Sequence, residues 1–285
     1  MRKEYIQLGD VKVLVGKDGC LFLQNDTNRV VEQNSGSLKL TESKLEKWLR
    51  ILETRFAVLK NRDIKYYFLI APNKESIYPE YLPSDYEICE DRTVYQLINA
   101  CKSHNLPLYY PIDILKSYKS QYQIYPSGDS HWNGIGGFIA YGYIMSIIKR
   151  DFTTNILDWE EVKFVEGEIL LDLGNKLTPP QTSVFAWGMV KQPQAQIIYD
   201  NKVINSGHIR LTSNKNKSLP TTVIFHDSFM ESMLLFLMES FSEIYLLRSP
   251  SLDYDLIKKI KPDVVISEMV ERFLIQPPVD FNEGK

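Results

Sequence analysis

The stretch TTVIFHDSF (residues 221–229) runs a β-branched apolar segment straight into His226, Asp227 and Ser228, with an apolar run behind it. A serine on the turn between a strand and a helix presents its hydroxyl outside the sheet. The helix start there aims backbone N–H groups at developing negative charge. That is the setting of a nucleophile in acyl transfer. Asp and Ser at such a turn more often only cap the helix, so the motif needs a base before it reads as chemistry. The chain has four histidines. His104, in the polar run KSHN, and His208, in an irregular stretch, read as surface residues. His131 lies in GDSHWN (residues 128–133), two positions after Asp129, on a Gly-containing loop ahead of an apolar helix. A hydroxyl nucleophile needs a base, and the base needs a group that fixes its tautomer. Ser228, His131 and Asp129 are therefore the candidate catalytic set.

Two other assignments compete. Gly128-Asp129-Ser130 spells a known serine-hydrolase box, yet the polar run QYQIYPS precedes it where a strong apolar strand is required. Ser130 also adjoins His131, which places its hydroxyl badly for that ring's Nε2. Alternatively, Asp129, His131, His226 and Asp227 form a His₂Asp₂ set of the kind that zinc or iron sites use. Nothing in their spacing demands a metal, so none is expected. There is no phosphate loop, dinucleotide fingerprint or H-E-x-x-H, and no cofactor is expected. Cys20, Cys89 and Cys101 have neither metal-ligand spacing nor an even count for disulfides.

These groups must be held by regular elements. The SKLE capping box at 43–46 precedes Leu45, Trp48, Leu49, Leu52, Phe56 and Leu59, which recur at helical spacing. KYYFLIA (65–71) reads as a buried strand ended by Pro72, residues 93–103 as an amphipathic helix, and 106–112 as a strand. Residues 135–148 form an apolar helix shorter than the roughly 20 residues of a membrane span. Between 151 and 220, Gly, Pro, Thr, Asn and Gln break short apolar runs, which predicts a β-rich or irregular insertion. Strand 222–225, helix 230–241, strand 243–247, helix 252–260 and strand 263–266 follow. This alternation predicts a three-layer α/β fold with a parallel central sheet. The whole chain, 1–285, reads as one domain, with residues 1–40 as an N-terminal segment that opens on a hairpin at 11–23. A formal net charge of -3 with mixed signs gives no nucleic-acid footprint. The N-terminus MRKEYIQLGD has no apolar core behind its basic start, unlike a signal peptide, which reads as cytoplasmic. A chain trimmed of an export signal would read the same way.

Taken in order, GKDGCLFL (16–23), APNKESIYPEYLP (71–83), GDSHWN (128–133), VIFHDSF (223–229) and PDVVISEMVER (262–272) resemble the SGNH (GDSL-type) hydrolases, specifically their alginate O-acetyltransferase-like branch. The resemblance implies a flavodoxin-like fold circularly permuted between its third and fourth strands, with Asp129, His131 and Ser228 as the triad. It also implies acetyl transfer to hydroxyls of a bacterial polysaccharide through an acyl-serine. The donor would be a small molecule or an acyl-carrying partner, in the setting of a membrane-associated biosynthetic complex at the cell envelope. A carbohydrate acetyl esterase, or an inactive carbohydrate-binding member of the fold, is the alternative. The chain departs from ordinary members in three places. The Asp129–His131 spacing is one residue shorter than theirs, although D-x-H suits the acetyltransferase branch. His226 replaces the Gly of the GDS box, and no Asn stands near 267–272 for the oxyanion. Arg272 or backbone N–H groups would serve there, although Glu268, Glu271 and Arg272 could equally form a surface ion-pair cluster. Asn73 and Lys74 follow a strand end and would line the pocket, with turn capping by Asn73 the other reading. Tyr78, Tyr81 and Trp132 are candidate sugar platforms, although burial is the commoner fate of aromatics.

Overall fold

The apolar runs that begin at Lys65, Thr221, Glu243 and Val264 become neighbouring strands of one sheet. A computed structural model describes residues 5–8, 11–25 and 28–281. In chain order the strands are β1 (Tyr5–Leu8), β2 (Val11–Val15), β3 (Leu21–Asn25), β4 (Lys65–Ala71), β5 (Val162–Leu170), β6 (Thr182–Val190), β7 (Ala195–Asp200), β8 (Ile209–Asn214), β9 (Thr221–His226), β10 (Glu243–Arg248) and β11 (Val264–Val270). The central sheet is six-stranded, in the order β4-β11-β9-β10-β8-β7. Its β4, β11, β9 and β10 run parallel. Counted from β9, the order β10-β9-β11-β4, extended by the parallel bridge from Leu69 to Tyr109, is the 2-1-3-4-5 of flavodoxin-like folds. The chain therefore enters this fold at its fourth strand, as a circular permutation requires.

Successive side chains of a strand point to opposite faces, and both faces here are covered. Tyr67, Leu69, Ile224 and Ile266 join one buried cluster with Phe138, Tyr141 and Phe236. Their neighbours Phe68, Ile70, Val223 and Val265 join another with Trp48, Leu52, Leu97 and Ile257. The first cluster holds the helix Gly134–Ile148; the second holds Glu42–Lys60, Thr93–Ser103 and Tyr254–Ile260. None of the helices among the described residues is long and apolar enough to cross a membrane. Residues 1–4, 9 and 10, part of the N-terminal stretch that is unlike a signal peptide in sequence, lie outside the described residues.

Three local expectations differ, and a fourth is sharpened. Thr41, rather than Ser43, caps the helix Glu42–Lys60, accepting the Lys44 N–H. Residues 106–112 make one bridge pair instead of a strand, because Pro111 turns the chain into the helix Ile112–Tyr118. The segment 230–241 is not one helix: Ser228–Ser232 is a 3₁₀ turn, followed by the short α-helix Leu234–Leu237. Finally, residues 151–220 are β-rich and partly built into the sheet. β5 and β6 form an antiparallel ribbon, while β8 pairs antiparallel with β10 and carries β7 at the edge.

The tail is pinned by charge. Arg55, in the helix Glu42–Lys60, donates to Asp280 at 2.6 and 2.9 Å, and both side chains are fully buried. Asp280 also accepts the Leu252 N–H at 2.8 Å. Removing one partner of a buried pair strands the other charge, at a cost of about 3–5 kcal/mol. Asp280→Ala is therefore expected to lower the urea midpoint by a corresponding amount, with an unaltered midpoint counting against this role.

Candidate active site

Ser228 follows the carboxyl end of β9 and opens the 3₁₀ turn Ser228–Ser232. Asp227 caps that turn, taking the Phe229 N–H on one oxygen (2.9 Å) and the Val270 N–H of β11 on the other (2.7 Å). Asp227 is thus structural, and it fixes the backbone angle at Ser228. No α-helix starts here, so the helix end expected from the sequence is replaced by one 3₁₀ turn, in which Ser228 is half-buried and Phe229 and Met230 are buried. Among the described residues the Ser228 N–H has no acceptor, which leaves it available to an incoming oxygen.

The loop at residues 128–133 faces this turn from the helix Gly134–Ile148. Asn133 caps the helix by accepting the Ile135 and Gly136 N–H groups. The Trp132 indole N–H donates to the Phe229 carbonyl at 2.8 Å and so ties the two loops together. Gly137 permits the approach: a Cβ there would overlap the Ser232 carbonyl. The consequence is a chain of hydrogen bonds. Ser228 Oγ lies 2.8 Å from His131 Nε2, and Asp129 Oδ1 lies 2.9 Å from His131 Nδ1. A carboxylate only accepts, so Nδ1 carries the proton and Nε2 is left to accept from the serine hydroxyl. Asp129 Oδ1 also takes the His131 backbone N–H at 2.9 Å. Burial opposes ionisation of Asp129, but the His131 ring and its charge outweigh it and hold the carboxyl below its ordinary range.

Ser130 is turned away. Its hydroxyl donates to Asp172 at 2.5 Å and sits 3.4 Å from Nδ1, the wrong ring nitrogen. Asp172 was not anticipated, and it comes from the segment 151–220. It accepts both the Ser130 N–H (2.9 Å) and the Ser130 hydroxyl, and lies 3.6 Å from His131 Nδ1. Burial, then the neighbouring Asp129 charge, pushes its carboxyl up. The only signal in the sequence was an acid just past the alternating run at 162–170. Asp172 is a positioning residue in this arrangement. Asp172→Ala is expected to lower ester turnover roughly 10- to 100-fold by loosening the loop, with Asn restoring much of it. An equal loss in Ala and Asn would contradict positioning.

The four-ligand metal set does not assemble. Among the described residues, the three-residue group whose ligand atoms lie within 4.8 Å of one another is Asp129, His131 and Asp172. His226 instead donates from Nδ1 to the Asp227 carbonyl at 2.6 Å. His104 is exposed beside Glu53, and His208 is half-buried beside Asp200.

Several expected substrate contacts turn out to be framework. Lys74 is buried, its ammonium donating to the carbonyls of Leu21, Pro126, Ser127 and Asp129 at 2.6–3.1 Å. It therefore shapes the loop that carries Asp129 and does not line a pocket. Asn73 is buried too, giving its N–H to Glu271 and accepting from Arg272 at 3.4 Å. Arg272 lies over the rings of Phe229 and Phe273, and it is buried with Glu268 and Glu271 rather than in a surface cluster. Trp132 is wholly buried, so its ring faces are unavailable to a sugar. Tyr78 and Tyr81 do border a cleft of about 340 Å³, shared with Tyr122, Tyr125 and Ser127. Tyr78 is largely buried in its wall, accepting the Ile124 N–H. Ser228 opens on a separate pocket of about 310 Å³.

A family model described as the SGNH hydrolase-like domain of the acetyltransferase AlgX matches residues 13–175, more than half of the chain. The chain belongs to that family. Solved structures agree on the SGNH-like fold. A DHHW family protein from Eubacterium siraeum aligns with TM-score 0.66 at 15% identity, covering 96% of this chain and 94% of that one. PatB1 of Bacillus cereus, solved with a sulfonyl adduct, aligns with TM-score 0.65 at 15% identity over 92% and 97% of the two chains. The O-acetyltransferase domain of Pseudomonas putida AlgJ gives 0.59 at 17% identity over 96% and 95%. No curated protein matches. As a member of that family, the chain places the Ser228 turn late in its sequence, at the end of β9.

Proposed function

We propose that this chain is a serine-dependent O-acetyltransferase that moves an acetyl group onto a hydroxyl of a bacterial glycan. The observation that carries the reading is the continuous chain from Ser228 Oγ through His131 to the Asp129 carboxylate. His131 Nε2 takes the serine proton as Oγ attacks the donor's acetyl carbon, and Asp129 stabilises the imidazolium that forms. The Ser228 N–H, which has no acceptor among the described residues, serves the oxyanion. Collapse of the tetrahedral intermediate expels the donor's alcohol or thiol, which leaves with the proton from His131. A glycan hydroxyl then gives its proton to His131 and attacks the acyl-serine; this second intermediate collapses by expelling Ser228 Oγ, which takes the proton back from His131 as the acetylated glycan leaves. The Tyr81-lined cleft offers a surface for the glycan, an aromatic ring face being suited to the C–H face of a sugar.

The test is acceptor dependence. The protein is supplied with a chromogenic acetyl ester, with and without an oligosaccharide, and the sugar is analysed by mass spectrometry. Acetylated oligosaccharide and faster ester consumption are expected. Release of all the acetyl to water would make the protein an esterase instead.

A further inference from the structure

The pocket beside Ser228 contains a charge that the proposed acyl transfer does not use. Arg248 ends β10 and stands in register with His226 of β9, so its side chain and Ser228 leave adjacent strand ends. Its backbone is fixed at both polar atoms: the N–H donates to the His208 carbonyl at 2.9 Å, and the carbonyl accepts the Gly207 N–H at 3.0 Å. The same turn brings Asn205 to the pocket rim. The guanidinium, by contrast, has no hydrogen-bond, ion-pair or ring partner among the described residues. Arg248 is half-buried, whereas the buried Arg210, Arg92 and Arg55 are paired with Glu231, Glu271 and Asp280.

No acid lining the pocket forms an ion pair with it among the described residues. Asp227 spends its two oxygens on backbone N–H groups. Glu268, also in the pocket wall, accepts the Asp227 N–H at 3.2 Å, while its Oε1 is buried without a partner. Burial, then the charge of Asp227, pushes its carboxyl well up, toward the neutral form. Pro250, Met269 and Phe273 give the pocket an apolar side, with Ser206 and Ser249 among its polar lining. A half-enclosed, unpaired guanidinium over an apolar floor binds planar or tetrahedral oxyanions through its fork of N–H donors, and the low local dielectric strengthens the pair.

We propose that Arg248 makes this pocket the receptor for an oxyanion, a carboxylate or a phosphate, carried by the ester or alcohol that reacts at Ser228. The class of substrate is therefore acidic: a sugar acid or a phosphorylated compound, rather than a neutral glycan alone. This deepens the reading of Ser228 as the nucleophile and rests on it for the reaction, but binding can be measured without turnover.

Binding is titrated on the Ser228→Ala protein with phenyl phosphate, benzoate and neutral benzyl alcohol, with and without Arg248→Gln. At least one anion is expected to bind better than the alcohol and to lose about tenfold or more in affinity with Gln. The stronger of the two anions tells phosphate from carboxylate. Affinities unchanged by Gln, or equal binding of the alcohol, overturn the proposal. If Arg248→Gln does not fold, crystals of the Ser228→Ala protein soaked with phenyl phosphate and benzoate decide, since an anion bound elsewhere, or none, overturns it. On the active protein, Arg248→Gln is expected to lower the ratio of kcat/KM for 4-acetoxybenzoate over that for 4-nitrophenyl acetate, mainly through KM. No turnover of either ester by the unsubstituted protein would defeat the Ser228 reading while leaving the binding result to judge Arg248.

Discussion

Ser228→Ala is expected to lower turnover of a chromogenic acetyl ester by roughly 10⁴-fold or more, to the residual rate that binding and the remaining hydrogen bonds support. The loss should fall on kcat, because alanine removes the attacking oxygen and leaves the pocket walls in place. Ser130→Ala is the control built into the same loop. The Ser130 hydroxyl is bonded to Asp172 and lies on the Nδ1 side of the ring, so its removal should cost only what the loosened loop costs. The reverse ranking would make Ser130 the nucleophile. Comparable large losses for both would leave the loop, rather than either hydroxyl, as the sensitive feature.

Asp129→Asn should come close behind, at roughly 10³- to 10⁴-fold. One Asp129 oxygen accepts both the His131 ring N–H and the His131 backbone N–H. An amide removes the charge that stabilises the imidazolium. It also lets the ring take the tautomer with its proton on Nε2, where it can no longer accept from Ser228. The same change has a signature in stability. Asp129 is held below its ordinary range in the folded chain. Its contribution is thus present above the unfolded carboxylate pKa and lost as pH falls through the folded value. Asp129→Asn should therefore flatten the acid limb of the stability curve below about pH 4. A variant with full turnover and an unaltered acid limb would show that Asp129 supports neither chemistry nor the loop.

How legible these features were depended on the kind of signal each left in the sequence. The parallel strands are runs of apolar residues with covered faces, and KYYFLIA and TTVIF could be read directly. Their spatial order came only from the succession of motifs, since no local pattern reports that β9 lies between β10 and β11. The proximity of Ser228 and His131, 97 positions apart, has the same origin. Asp172 was missed because an acid after an alternating strand looks like any solvated turn, and its link to Ser130 spans 42 positions. Lys74 and Trp132 were misplaced for the opposite reason. Both types suit a pocket, and burial is decided by neighbours from distant segments: the carbonyls around Lys74 come from 21 and from 126–129, and the partner of Trp132 is Phe229. The broken helix after Ser228 was hidden because its residues, MESMLLFL, favour helix in isolation.

Covalent trapping tests the central claim most directly. The protein is mixed with a slowly deacylating ester, quenched in acid and digested, and the acylated peptide is sequenced by mass spectrometry. The account predicts one acyl group on Ser228, absent after Ser228→Ala and strongly reduced after His131→Ala. An acyl group on Ser130, or continued turnover with no acyl group on Ser228, would contradict it.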